Sequence, residues 1–167
     1  MGDHVLACAF TGHRASKLPW GFDETQPACL ELKERLHNTV FALYDEGCRR
    51  FYCGMANGCD LYFCEAVLEL RAQRPDVTIE AVIPWEGQAA RWLPDQRARY
   101  HRLVTECDYQ TLVQTQYSQD CMIRRNHYMV DHADVLLCVY NGCPGGTRAT
   151  MLYAMRRGLQ LIELPVE

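Results

Sequence analysis

Short apolar runs alternate with stretches of helical period along this chain, and that alternation restricts the fold more than any other feature. The apolar runs fall at residues 5–10, 50–53, 77–83, 109–113, 135–140 and 159–164. Between them, apolar side chains recur at helical spacing, as Leu32, Leu36, Val40 and Leu43 do within 27–47. Further helices are expected over 59–74, 95–107, 118–132 and 147–157, with Ser118 and Thr147 as caps. Strands that alternate with helices pair in parallel and need helices on both faces. The chain is therefore expected to form one α/β domain over residues 1–167, a doubly wound, mostly parallel sheet with helices on both faces. Right-handed crossovers place the strand-to-helix loops at one edge, and ligands of such sheets lie beyond the carboxyl ends of the strands.

The loops at that edge carry the candidate functional residues. The first reads Thr11-Gly12-His13-Arg14 and runs on through Pro19, Trp20 and Gly21, longer than a plain strand-to-helix connection needs. It is expected to close over a phosphorylated ligand. Gly12 would let the backbone approach, Arg14 would meet the phosphate and Trp20 would shield the site. The alternative leaves Arg14 as a surface charge, solvated or paired with Asp23, and packs His13 beneath the loop. The second loop holds Gly54, Gly58 and Asp60 before a helix start, where backbone N–H groups can point at an anion. Asp60 equally fits a first-turn acid that serves the helix alone. The third offers Trp85, to stack on a base or to cover the core edge, and Glu86, to hold ribose hydroxyls. The fourth, with Gly145, Gly146 and Thr147 before a helix, suits a phosphate on the helix N-terminus, or is a simple tight turn. Neither a dinucleotide fingerprint nor a P-loop is present.

Composition bounds the rest. Hydrophobic residues make up 49% and charged residues 23% of 167, with a net charge of −4. No basic block stands out, which argues against nucleic acid as a partner. Ten cysteines are present without paired C-x-x-C spacing, and several sit inside apolar runs. They read as buried free thiols, with no metal site. No signal peptide and no membrane-length apolar run occurs, so a cytoplasmic protein without membrane attachment is expected.

Several short motifs occur in order: AFTGHR, Gly58-Cys59-Asp60-Leu61 with Glu65, Val82-Ile83-Pro84-Trp85-Glu86, Arg125-Asn126, and Val139-Tyr140 with Gly145-Gly146-Thr147. Together they resemble the YpsA-like branch of the SLOG superfamily over nearly the whole chain. The resemblance implies a Rossmann-like domain related to the LOG phosphoribohydrolases and to DprA. It also implies a nucleotide-type small-molecule partner, including ADP-ribose-derived signals, sensed or sequestered with no further cofactor. The catalytic LOG pattern places a Glu shortly after its glycine motif, whereas Arg148-Ala149-Thr150 follows here. An enzyme that hydrolyses or exchanges an N-glycosidic bond is the alternative, with Glu65 or Glu86 as its carboxylate. A second alternative, an interaction module in cell division, also comes from the resemblance. The chain could also self-associate as a homo-oligomer.

Overall fold

The computed structural model describes residues 5–167. Six strands form one sheet in the order β4-β3-β2-β1-β5-β6: β1 (Leu6–Thr11), β2 (Cys48–Cys53), β3 (Thr78–Ile83), β4 (Tyr109–Leu112), β5 (Val135–Tyr140) and β6 (Gln160–Pro165). Every pairing is parallel. The expected sheet is thus present, and it is parallel throughout. Five α-helices connect the strands: α1 (Pro27–Asp45), α2 (Cys59–Gln73), α3 (Pro94–Glu106), α4 (Cys121–Asp131) and α5 (Gly146–Arg156).

The apolar pattern explains the layering. Leu32, Leu36, Val40 and Leu43 form one buried stripe of α1, which packs with α2 and α3 in the larger core cluster. Helix α2 lies in the middle of that layer and is buried on nearly every side along its first half. On the opposite face, Met129 and Val130 of α4 and Met151 and Ala154 of α5 pack over Ala9, Leu136 and Cys138. The central strands β1 and β5 meet a helix layer on each face, and so their runs are apolar without alternation. Nine of the ten cysteines are buried within these layers, Cys143 being exposed.

The strand order reverses between β1 and β5. From β1 the chain moves outward through β2, β3 and β4, then returns to the other side of β1 for β5 and β6. The loops after β1 and β5 therefore diverge to opposite faces and leave a crevice between them, the usual ligand position in an open parallel sheet.

Two expected caps are absent. Helix α4 starts at Cys121 after Asp120, and Ser118 instead donates its hydroxyl to Asp120 Oδ1 at 2.7 Å. Helix α5 starts one residue before Thr147, with Gly145 as the N-cap. Strand β2 begins two residues earlier than its apolar run. Cys48 pairs in register with Leu6, and Arg49 is held outward by Asp76 at 3.0 Å and over the Tyr44 ring. Among the described residues no helix is long and apolar enough to cross a membrane.

Candidate functional site at the sheet switch point

A crevice of about 350 Å³ opens between the β1 and β5 loops. Thr11, Gly12, His13 and Arg14 line one side, and Gly146 and Thr147 line the other. Asp60 at the start of α2 and Arg125 of α4 also line it. The first and fourth candidate loops thus share one cavity.

The β1 loop is stapled in place by its neighbours. Asn57 Oδ1 accepts the Ala15 N–H at 3.1 Å, and the Cys59 N–H donates to the His13 carbonyl at 3.1 Å. Close packing at this contact dictates two glycines. A side-chain carbon at Gly12 would lie 2.7 Å from Cys59 Cβ, and one at Gly58 would lie 2.6 Å from the Ala15 nitrogen. Gly58 also has φ of +87°, which L side chains rarely adopt. Gly12, expected to give a ligand clearance, has a packing reason of its own against α2, and it also lines the crevice. The second loop offers fewer free donors than expected, because the N–H groups of Ala56 and Cys59 are engaged by Asp60 and His13. Gly54 also has a packing reason, since the Arg125 guanidinium lies against its α-carbon.

His13 joins the two sides of the switch point. It is buried, and its Nε2 accepts the Asn141 N–H at 3.0 Å. That bond requires an unprotonated Nε2, so Nδ1 carries the hydrogen of the neutral ring. Burial, reinforced by the nearby Lys17 charge, lowers the His13 pKa below its usual value. Positive charge at the rim therefore comes from Arg14 and Lys17, both exposed and without an ion pair among the described residues.

Lys17 stands opposite the start of α5. Its Nζ would lie 3.0 Å from a side-chain carbon at Gly145. Helix α5 has no side-chain cap and no acid in its first turn. Its first backbone N–H groups carry the positive end of the helix dipole, with small residues in front of them.

The inner wall is a buried pair of opposite charge. Asp60 is 7% exposed and Arg125 is 4% exposed. Asp60 Oδ2 accepts the Ala56 N–H at 3.0 Å. Burial raises the Asp60 pKa above the ordinary carboxylate range, while the Arg125 charge and the Ala56 N–H oppose that rise. Arg125 Nη1 donates to the Gly54 carbonyl at 2.5 Å and to the Val82 carbonyl at 3.5 Å. Its Nε donates to Asn126 Oδ1 at 2.8 Å. Met55, between Gly54 and Ala56, has φ of +60°, a left-handed conformation that costs a non-glycine residue about 1–2 kcal/mol. The bend aims the Gly54 carbonyl at Arg125 and the Ala56 N–H at Asp60.

Other sequence candidates lie elsewhere. Glu65 pairs with Arg99 of α3, which also binds Glu24 at 2.5 Å, and it does not line the crevice. Glu86 is exposed on the β3 loop, and Trp85 is half-buried with its ring edge-on to Tyr117 at 5.7 Å. Neither lines the crevice. Trp20 shields nothing there. It is buried in the core, where its Nε1 donates to Tyr62 Oη at 3.0 Å. Asp23 accepts from Thr25 and Gln26, so it is not the partner of Arg14. Lys17 and Arg125 were not singled out as ligand holders from sequence. Arg125 had a signal in the ordered Arg125-Asn126 motif, whereas Lys17 had none, because its position depends on the turn at Ala15–Lys17.

Residues 8–159 match the family model for YpsA, described as the YspA SLOG family. The chain belongs to that family. It is 29% identical over 143 residues to the SPbeta prophage-derived protein YoqJ of Bacillus subtilis, an alignment covering 78% of this chain and 84% of the relative. It is 25% identical to the UPF0398 protein YpsA of the same organism, over 86% of this chain and 81% of the relative. Among solved structures, DprA from Streptococcus pneumoniae superposes with a TM-score of 0.59 at 14% identity, covering 98% of this chain and 51% of DprA. DprA from Helicobacter pylori, described with a single-stranded DNA binding mode, gives a TM-score of 0.64 at 14% identity over 99% of this chain and 67% of that one. The chain thus has the DprA-like, Rossmann-like fold and spans about half the length of the Streptococcus protein. These neighbours overturn the expectation that sets nucleic acid aside. One protein of this fold binds single-stranded DNA, so the lack of a basic block does not exclude that partner class.

Proposed function

We propose that the switch-point crevice binds a phosphate-bearing ligand of nucleotide or ADP-ribose type, as a sensing or sequestering site. The observation that carries this reading is the uncapped start of α5, which opens on the crevice opposite Lys17 and Arg14. A phosphate there accepts hydrogen bonds from free backbone N–H groups and meets two cations that form no ion pair among the described residues. Each charge-assisted hydrogen bond is worth about 1.5–3 kcal/mol. Glu65 and Glu86, the carboxylates expected for N-glycosidic cleavage, stand off the crevice, and the carboxylate that does line it, Asp60, has one oxygen held by the Ala56 N–H.

A second reading has one observation behind it, the single-stranded DNA bound by the Helicobacter neighbour. A nucleic-acid phosphate could occupy the same helix start.

Calorimetric titration of AMP, ADP-ribose, NAD and a short single-stranded DNA distinguishes these readings, with chromatography of each mixture to detect products. The expected result is saturable binding of a mononucleotide or ADP-ribose, weakened about 10- to 100-fold by Lys17→Ala or Arg14→Ala, at unchanged melting temperature. Binding of the DNA alone would favour the second reading. Unchanged affinity in both variants would remove the phosphate from the α5 start.

A further inference from the structure

The inner wall of the crevice suggests which chemical group lies next to that phosphate. We propose that Asp60 and Arg125 together recognise a sugar hydroxyl, so that the site takes a phosphorylated ribose in preference to its deoxy counterpart. This rests on the phosphate reading above and specifies the ligand of the same site.

The two side chains are buried, line one cavity and act on each other through space, yet they form no ion pair with each other. Asp60 Oδ2 is committed to the Ala56 N–H, while Oδ1 has no donor among the described residues and is not sealed away from the cavity. Arg125 uses Nη1 and Nε on carbonyl and amide oxygens, but the protein partner of its Nη2 is the Met122 sulfur at 3.7 Å. Thioether sulfur is a weak acceptor. An unfilled acceptor on a carboxylate thus shares the cavity with an under-used donor on a guanidinium.

The ligand group that fits both must donate to Asp60 and accept from Arg125. A hydroxyl does both through one atom. A phosphate oxygen would satisfy Arg125 but would be repelled by Asp60. An amino group would satisfy Asp60 but offer nothing to Arg125. The layout of the crevice agrees, with exposed Arg14 and Lys17 at the rim and the buried pair within. A sugar phosphate presents its groups in that order. Removing one hydroxyl would leave buried polar atoms unmatched, and sites built to bond a hydroxyl discriminate strongly for that reason.

The test is calorimetric titration of AMP, 2′-deoxy-AMP and 3′-deoxy-AMP into the wild-type protein and into Asp60→Asn, with Lys17→Ala alongside. The wild type should bind at least one deoxy analogue about 10- to 100-fold more weakly than AMP. That gap should narrow to within about 3-fold in Asp60→Asn, which keeps an oxygen for the Ala56 N–H. If both deoxy analogues bind the wild type as well as AMP does, and Lys17→Ala weakens all three, the hydroxyl inference falls and the phosphate reading stands. If no compound of the series binds, the hydroxyl inference falls, and the phosphate reading stands or falls with the ADP-ribose titration described above. The wild-type comparison needs no variant, so it decides the matter even if Asp60→Asn fails to fold.

Discussion

Single side chains at the switch point serve the fold and the crevice at once, and their chemistry separates the two roles. His13 closes the gap between the β1 and β5 loops only while its Nε2 is free to accept the Asn141 N–H. Its pKa is lowered in the folded protein, by burial and then by Lys17, from an ordinary value near 6.5. The unfolded chain therefore binds the extra proton first as pH falls. The His13 contribution is complete above about pH 6.5 and declines as pH drops from there toward the folded value. Urea unfolding between pH 5 and 8 should show wild type losing stability on acidification relative to His13→Gln, whose amide oxygen can accept the same N–H. Parallel curves for the two proteins would deny His13 this role. The glycines divide in the same way. Gly58→Ala needs a left-handed backbone and meets the Ala15 nitrogen at 2.6 Å, so it should cost at least about 2 kcal/mol, or roughly 4–8 °C in melting temperature. Gly146→Ala meets nothing within 4 Å and should melt within about 2 °C of wild type. Equal melting of the two variants would contradict the packing assigned to Gly58. None of this separation is legible in the sequence, where both are glycines before a helix. What distinguishes them is the crossing of the β1 and β2 loops, a contact between residues more than forty positions apart.

At the scale of elements, the opening loop has two halves with different duties. Thr11–Lys17 borders the crevice, while Leu18 and Trp20 enter the core and Glu24 reaches Arg99 of α3. The unusual length of this loop was visible in the sequence, but it serves packing as much as binding. Arg99, half-buried between Glu24 and Glu65, ties the loop to α2 and α3. Arg99→Met should lower stability by about 1–2 kcal/mol, since the pairs are partly solvated, and should raise amide exchange in residues 18–26. Unchanged exchange there would mean that the core contacts of Leu18 and Trp20 and the Lys33–Glu24 pair anchor the loop without Arg99. Arg125 is the counterpart on the other face. It spans α4, the Gly54 carbonyl after β2 and the Val82 carbonyl of β3. Arg125→Met should cost about 1–3 kcal/mol, because the Gly54 carbonyl keeps only its longer bond from Gln88 Nε2 and Asp60 loses its compensating charge. A melting temperature equal to wild type would contradict that assignment. Strand and helix order followed from hydrophobic period alone, since β1 and β5 are apolar throughout and α1 carries a clean stripe. Element ends were less legible. Cys48–Arg50 does not look like a strand start until Asp76 and Tyr44 hold Arg49, and the cap expected at Thr147 is a bare glycine.

For the whole molecule, the reversal of strand order between β1 and β5 decides where function can sit, and the charge pattern agrees with it. A chain of net charge −4 gathers Arg14, Lys17 and Arg125 around one crevice, with Asp60 as the carboxylate lining it. Such local concentration is invisible to net charge, which is why composition alone does not exclude nucleic acid as a partner class. The location of the crevice was readable from topology, because ordered strands and helices imply the switch point. The juxtaposition of Asp60 and Arg125 at its inner wall was not, because it joins α2 and α4 across the sheet edge. The most direct measurement is a two-dimensional amide NMR titration of the protein with AMP. Binding at the start of α5 should shift the N–H signals of Gly146, Thr147 and Arg148 together with those of residues 12–17, and Lys17→Ala should require a higher AMP concentration for the same shifts. Saturable shifts confined to other loops, or no shifts at millimolar AMP, would contradict the placement of a phosphate at this helix start.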